Sequence, residues 1–220
     1  MRVTSWAALS AAAAVIGLAA LAATGPTGAN AALAASFDCG KAATATEHAI
    51  CANANLSNLD SALGLAYGQR LALDPAIRQI ERGWLAVRNV GCGGDVGCLT
   101  GLTGAQLAWL RAGAPRPPGA MPIRVGACSL TTISKVGTRL EGVPESGSAI
   151  EEADGASQVS YDRIAAIGAS RSGDPALVCL VSLPQDCPPG DERGKVYGVA
   201  NLRTLGAWSQ PDAEHLCGGA

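Results

Sequence analysis

Eight cysteines constrain this chain more than any other feature: Cys39, Cys51, Cys92 and Cys98 precede a proline-rich gap, and Cys128, Cys179, Cys187 and Cys217 follow it. Even sets on both sides of one gap predict disulfides, and therefore an oxidising compartment. Zinc is the rival use of cysteine. The five residues between Cys92 and Cys98 lack the short chelating spacing of structural zinc sites, so no metal and no cofactor is expected.

The start of the chain agrees with export. Met1 and Arg2 lead into an alanine-rich apolar run from Trp6 to Ala23, then the Gly25-Pro26 break and small-residue sites at Ala29-Asn30-Ala31 and Ala32-Leu33-Ala34. This predicts a signal peptide over residues 1–34, and a periplasmic or secreted protein with no membrane attachment after cleavage. An uncleaved anchor is the alternative, since the run approaches the roughly 20 residues that span a bilayer. The residues before Cys39 form no lipobox.

Gly113-Ala-Pro-Arg-Pro-Pro-Gly119 carries three prolines and no apolar period, which predicts a linker over 113–120 between a domain at 35–112 and another at 121–220. Charge divides with it. Residues 36–112 hold six basic and six acidic side chains, whereas 113–220 hold nine and twelve. The expected fold class is α+β: a small disulfide-braced helical bundle, then a small disulfide-braced β barrel or sandwich.

In the first half, Thr44-Ala-Thr-Glu47 is a capping box that opens a short helix ending near Cys51. Leu56, Leu59, Leu63, Tyr67 and Leu71 then recur at helical spacing up to Asp74-Pro75, where Asp74 caps and Pro75 begins a third helix. Ile77, Ile80, Trp84 and Val87 continue to the Gly91-Cys-Gly-Gly94 break, and a last helix runs from about Asp95. The short connection at Asp74-Pro75 makes the long helices antiparallel, which predicts Cys51 beside Cys92 and leaves Cys39 for Cys98. Asp60, Arg82 and Arg88 read as ion pairs sealing the bundle, Trp84 and Trp109 as core, and His48 as solvated.

Phe37-Asp38-Cys39, Thr44-x-x-Glu47-x-x-Ile50-Cys51, Leu56-x-x-Leu59-Asp60, Tyr67, Arg82-x-Trp84-Leu85-x-x-Arg88, Cys92 and Cys98-Leu99 follow one another in this order. Over residues 36–112 this resembles the N-terminal domain of the LprI-type lysozyme inhibitor family. The resemblance implies an envelope-associated helical domain, linked in founding members to inhibition of lysozyme. The chain departs from the family at Glu81, where glutamine is usual, and at Gly83 and Gly101 to Gly104, which are expected to loosen the helices.

The second half loses the helical period. Short runs at 135–140, 156–161, 176–181 and 195–199, separated by Gly, Pro, Asp and Ser, read as strands. Cys179–Cys187 across the Pro184–Gly190 turn and Cys128–Cys217 clasping the ends are the expected pairs there, with Cys128–Cys179 and Cys187–Cys217 as the alternative. Asp212, Glu214 and His215 are the acid-base candidates, but no G-x-S-x-G elbow accompanies them, and Asp162 and Asp174 show nothing distinctive. No catalytic residue is therefore assigned, and a cell-wall-active enzyme ranks below a binding protein. Phosphate loops, dinucleotide fingerprints and basic clusters are missing from the sequence, so no nucleic-acid partner is expected. The turn-rich acidic stretch Glu141 to Asp154 supplies the candidate partner-binding residues Glu145, Ser146, Glu151, Glu152 and Asp154, read as a loop facing a cationic lysozyme. A solvated loop is the plainer reading of the same residues. The functional expectation is an inhibitor that blocks a lysozyme cleft without chemistry of its own, with a non-inhibitory envelope scaffold as the alternative.

Overall fold

The computed structural model describes residues 35–213 and 215–219, so the expected signal peptide at 1–34 lies outside the described residues. Helices fill the first half: α1 (Ala45–Ala52), α2 (Ala54–Leu73), α3 (Ile77–Cys92) and α4 (Val96–Ala112). Their starts are written in side chains. Thr44 accepts from the Glu47 amide while Glu47 accepts from the Thr44 amide, and Asn53 and Asp95 cap α2 and α4 by accepting from Leu56 and Cys98. Asp74 accepts instead from Ala76, so Asp74-Pro75 forms a turn and α3 begins two residues later than expected.

The second half forms one antiparallel sheet of six strands in the order β3-β2-β1-β4-β5-β6. The strands are β1 (Cys128–Gly137), β2 (Ser148–Glu152), β3 (Ser157–Ser160), β4 (Pro175–Ser182), β5 (Val196–Asn201) and β6 (Ala207–Pro211), with the single turn α5 (Ala165–Gly168) before β4. The sheet curls until the amide of Gln158 on edge strand β3 donates to the Gln210 carbonyl on edge strand β6. It is one curled sheet, not the two facing sheets of a sandwich. The α+β class holds, and helices and strands occupy the expected halves. Among the described residues no helix is long and apolar enough to cross a membrane.

Alternation along the central strand explains why both sheet faces are buried. Leu177, Cys179 and Val181 join the core beneath the helices, together with Ala200 and Leu202. Ala176, Val178 and Leu180 point into the curl, where they meet Ile133, Ile150, Tyr197, Val199 and Trp208. The helices and the sheet thus share a continuous core through Trp84 and Val87 of α3. This differs from the expectation of separately packed modules. The expected linker is also laid down rather than free: the Leu130 amide donates to the Pro117 carbonyl, the Gly119 amide to the Leu130 carbonyl, and Arg116 is buried over the Trp109 ring.

Glycines set the approach of α3 to the sheet. A Cβ at Gly83 would lie 2.5 Å from Leu202 Cδ2, and one at Gly198 would lie 2.5 Å from Val87 Cγ1. Gly83 therefore marks close packing, not a loosened helix, and α4 runs unbroken through Gly101 and Gly104. Gly198→Ala must push against a stiff β-branched side chain and is expected to cost about 1–3 kcal/mol in urea denaturation. Gly101→Ala meets nothing within 4 Å and is expected to gain about 1 kcal/mol.

All eight cysteines are paired, as Cys39–Cys51, Cys92–Cys98, Cys128–Cys179 and Cys187–Cys217. Each bridge stays within its half, but the expected Cys51–Cys92 and Cys39–Cys98 pairs do not form. The reason is the direction of α1: the Thr46 hydroxyl near its start donates to the Gly93 carbonyl, which places Cys51 at the far end from Cys92. Cys92 and Cys98 instead close the turn that Asp95 caps. In the sheet, Cys128 and Cys179 are register partners on β1 and β4, with Cα atoms 4.0 Å apart. The expected Cys179–Cys187 and Cys128–Cys217 pairs therefore do not form, and the alternative arrangement does.

Candidate functional site

In the helical half, Asp60 and Arg88 of the family-like motif do structural work. Arg88 Nη1 meets Asp60 Oδ1 at 3.3 Å with both side chains buried, and Ser36 donates to the other Asp60 oxygen through its amide (2.9 Å) and hydroxyl (2.6 Å). Burial lowers the Arg88 guanidinium while Asp60 holds it up. Arg82 is exposed and stands outside this pair, and His48 is exposed as expected. Trp84 is wholly buried, and Trp109 is partly buried under the Arg116 guanidinium, 3.8 Å from its ring centroid.

Beside this pair runs a second buried chain, from Glu81 to Gln106 to Arg116. The Gln106 amide donates to Glu81 at 2.5 Å, and Arg116 donates to the Gln106 carbonyl oxygen. Burial raises the Glu81 carboxyl and lowers Arg116 to about 10, with each charge partly compensating the other. Glu81, singled out as a family departure, thus finds its partners in a buried amide and in the segment read as a linker.

The acidic candidates are not brought together as a loop. Glu145 and Ser146 lie on a single 3-10 turn, where Glu145 pairs with Arg163 at 3.0 Å and the Ser146 hydroxyl accepts from the Leu140 amide at 2.8 Å. Glu151 and Glu152 lie on β2, and consecutive strand residues face opposite ways. Glu151 is therefore exposed beside Lys135, at 3.9 Å, whereas Glu152 turns into the curl and is 3% exposed. Asp154 sits in the β2–β3 hairpin turn, where one oxygen accepts from the Ala156 amide and Gly155 supplies the positive φ. A partner surface made of all five residues is thereby corrected: Glu152 lies inside the curl, off the exposed surface that holds Glu145 and Glu151.

Glu152 lines a cavity of about 270 Å³ with Met121, Gln158, Val178, Tyr197, Val199 and Asp212. Neither of its carboxyl oxygens has a hydrogen-bond partner, and Asp154 Oδ2 nearby lacks one as well. Burial, reinforced by the Asp154 charge, pushes the Glu152 carboxyl up to about 8. The signal for this site was the Ser148-Ala-Ile-Glu-Glu152 alternation, in which Ser148, Ile150 and Glu152 share the buried face.

Elsewhere, Asp174 is far from nondescript. It is buried and accepts from Arg203, Asn201 and the Arg171 amide, and the Arg203 contact holds its carboxyl well below the usual range. Asp212 accepts from the Gly194 amide, His215 is exposed, and Glu214 lies outside the described residues, so these three form no described acid-base set. Among the described residues no group of three or more His, Cys, Asp or Glu side chains is placed to hold a metal ion. Compared with protein-family models, curated proteins and solved structures, the chain matches none.

Proposed function

We propose that the protein is an exported, lysozyme-inhibitor-like binding protein that acts by occupying its partner and performs no chemistry of its own. Four disulfides fit an oxidising compartment, and the residues that carry the LprI-type resemblance supply the caps, bridges and buried pair of the helical half. Apart from exposed Arg82, the charged residues of that motif are engaged within the helical half, which points to the sheet half for the contact surface. The observation that carries the reading is the exposed set Glu141, Glu145 and Glu151 around the β1–β2 connection, of which Glu141 and Glu151 line a surface groove of about 600 Å³. Exposed ion pairs such as Lys135–Glu151 are worth at most about 1 kcal/mol, so a basic partner can replace them at little cost. Lys135 and Arg139 line the same groove, so the carboxylates would act through direct contact with a cationic protein and not through a long-range field.

The test is a bacterial lysis assay with lysozyme and the oxidised mature protein at micromolar concentration. Lysis is expected to slow, the effect to weaken as salt rises, and Glu141→Gln with Glu145→Gln and Glu151→Gln to reduce it further. Undiminished lysis would remove the inhibitor reading in favour of an envelope scaffold, the role to which the internally engaged motif residues also point.

A further inference from the structure

Glu152 has no part in that reading, and its surroundings pose a separate problem. A carboxyl 3% exposed, with both oxygens unpartnered, bears an uncompensated desolvation cost in either protonation state, because even its neutral form needs an acceptor for the O–H. The neighbouring donors are committed elsewhere. Gln158 gives its amide to the Tyr197 and Gln210 carbonyls and accepts from Trp208, while the Tyr197 hydroxyl donates to the Pro122 carbonyl. Asp154 in the hairpin is the charge that acts on Glu152, and Asp212 after β6 lines the same cavity while accepting from the Gly194 amide. Lys195, just before β5, holds Glu192 at 2.6 Å. Met121, Val178 and Val199 supply apolar wall.

We propose that this cavity binds a small primary ammonium on a short hydrocarbon chain, with the charged head against Glu152 and the chain along Met121, Val178 and Val199. An ammonium brings three donors and a positive charge to a carboxyl that lacks both, and an apolar tail replaces water on the walls. The volume lies just under the roughly 300–1,000 Å³ of sites for drug-sized ligands, which limits the occupant to a few carbons. Metal binding is not indicated, since among the described residues no group of three or more His, Cys, Asp or Glu side chains is gathered here. Binding requires Glu152 to give up its proton, so affinity rises with pH through about 8. The amine itself stays charged to about pH 10.

The test uses the full mature protein and calorimetric titration with n-butylammonium chloride, against n-butanol and sodium chloride as controls. Saturable binding of the amine alone is expected, strengthening roughly ten- to hundredfold between pH 6 and 8.5. Glu152→Gln, checked for folding by its melting curve, is expected to weaken binding at least tenfold. Nα-acetyl-lysine amide distinguishes the source of the ammonium: binding as tight as butylamine assigns the site to a lysine side chain, and binding of butylamine alone assigns it to a free amine. Failure of both to bind, equal binding of butanol, or unchanged affinity in Glu152→Gln overturns the proposal. Failure here leaves the lysozyme reading standing, because that reading rests on Glu141, Glu145 and Glu151 and is tested by lysis.

Discussion

Glu152→Gln is expected to make the protein more stable at pH 7, by about 2–3 kcal/mol, and to flatten its stability above pH 5. In the folded chain the Glu152 carboxyl titrates near 8, well above its ordinary value, so between about pH 4.5 and 8 the native state holds a proton that the unfolded chain has released. The unfolded state binds fewer protons there, and stability falls as pH rises. At roughly 1.4 kcal/mol per unit, the full penalty is about 3–5 kcal/mol by pH 8 and is not felt below the unfolded value. Gln keeps the shape and carries no titratable proton, so the wild-type and variant curves should converge near pH 4. Urea denaturation at pH 4, 7 and 8 checks this. A variant less stable than wild type at pH 8 would show that Glu152 has internal partners after all.

Arg88→Ala is expected to destabilise by about 3–5 kcal/mol, the usual cost of breaking a buried pair from one side. The loss leaves Asp60, whose side chain is 5% exposed, with only the Ser36 amide and hydroxyl as partners, and removes the guanidinium 5.3 Å from the Trp84 ring centroid. Replacing both members with leucine should cost much less, because no charge is then stranded. Denaturant midpoints for the single and double variants measure the difference. Equal losses would mean that packing against Trp84, not the charge, is what Arg88 supplies.

Much of the helical half was legible because its signals are short-range. The Thr44–Glu47 capping box, the start of α4 near Asp95 and the apolar stripe of α2 act within a few residues of themselves, and each lies where expected. The strands were read less evenly. β3, β4 and β5 lie within about two residues of the expected runs, β1 begins well before its run, and β2 and β6 were missed. β2 was hidden by its paired glutamates, which suggest a loop until one recognises that a strand sends them to opposite faces. The packing of α3 on the sheet was equally invisible, since it is made through Gly83, Gly91 and Gly198, residues that leave no apolar signature.

The candidate site was legible only as a list of acids. Its meaning changed when Glu145 and Glu151 stayed in solvent and Glu152 was carried inside beside Val178 and Tyr197. What the sequence alone determined was the α+β division, the Thr44–Glu47 cap and the commitment of the cysteines to disulfides, since all of these follow from neighbouring residues or from composition. Which cysteines meet, how the sheet curls and why one carboxyl lacks a partner were decided by contacts such as Thr46 with Gly93 and Gln158 with Gln210. Those residues lie 47 and 52 positions apart, and only the closed chain brings their hydrogen-bonding groups within reach of each other.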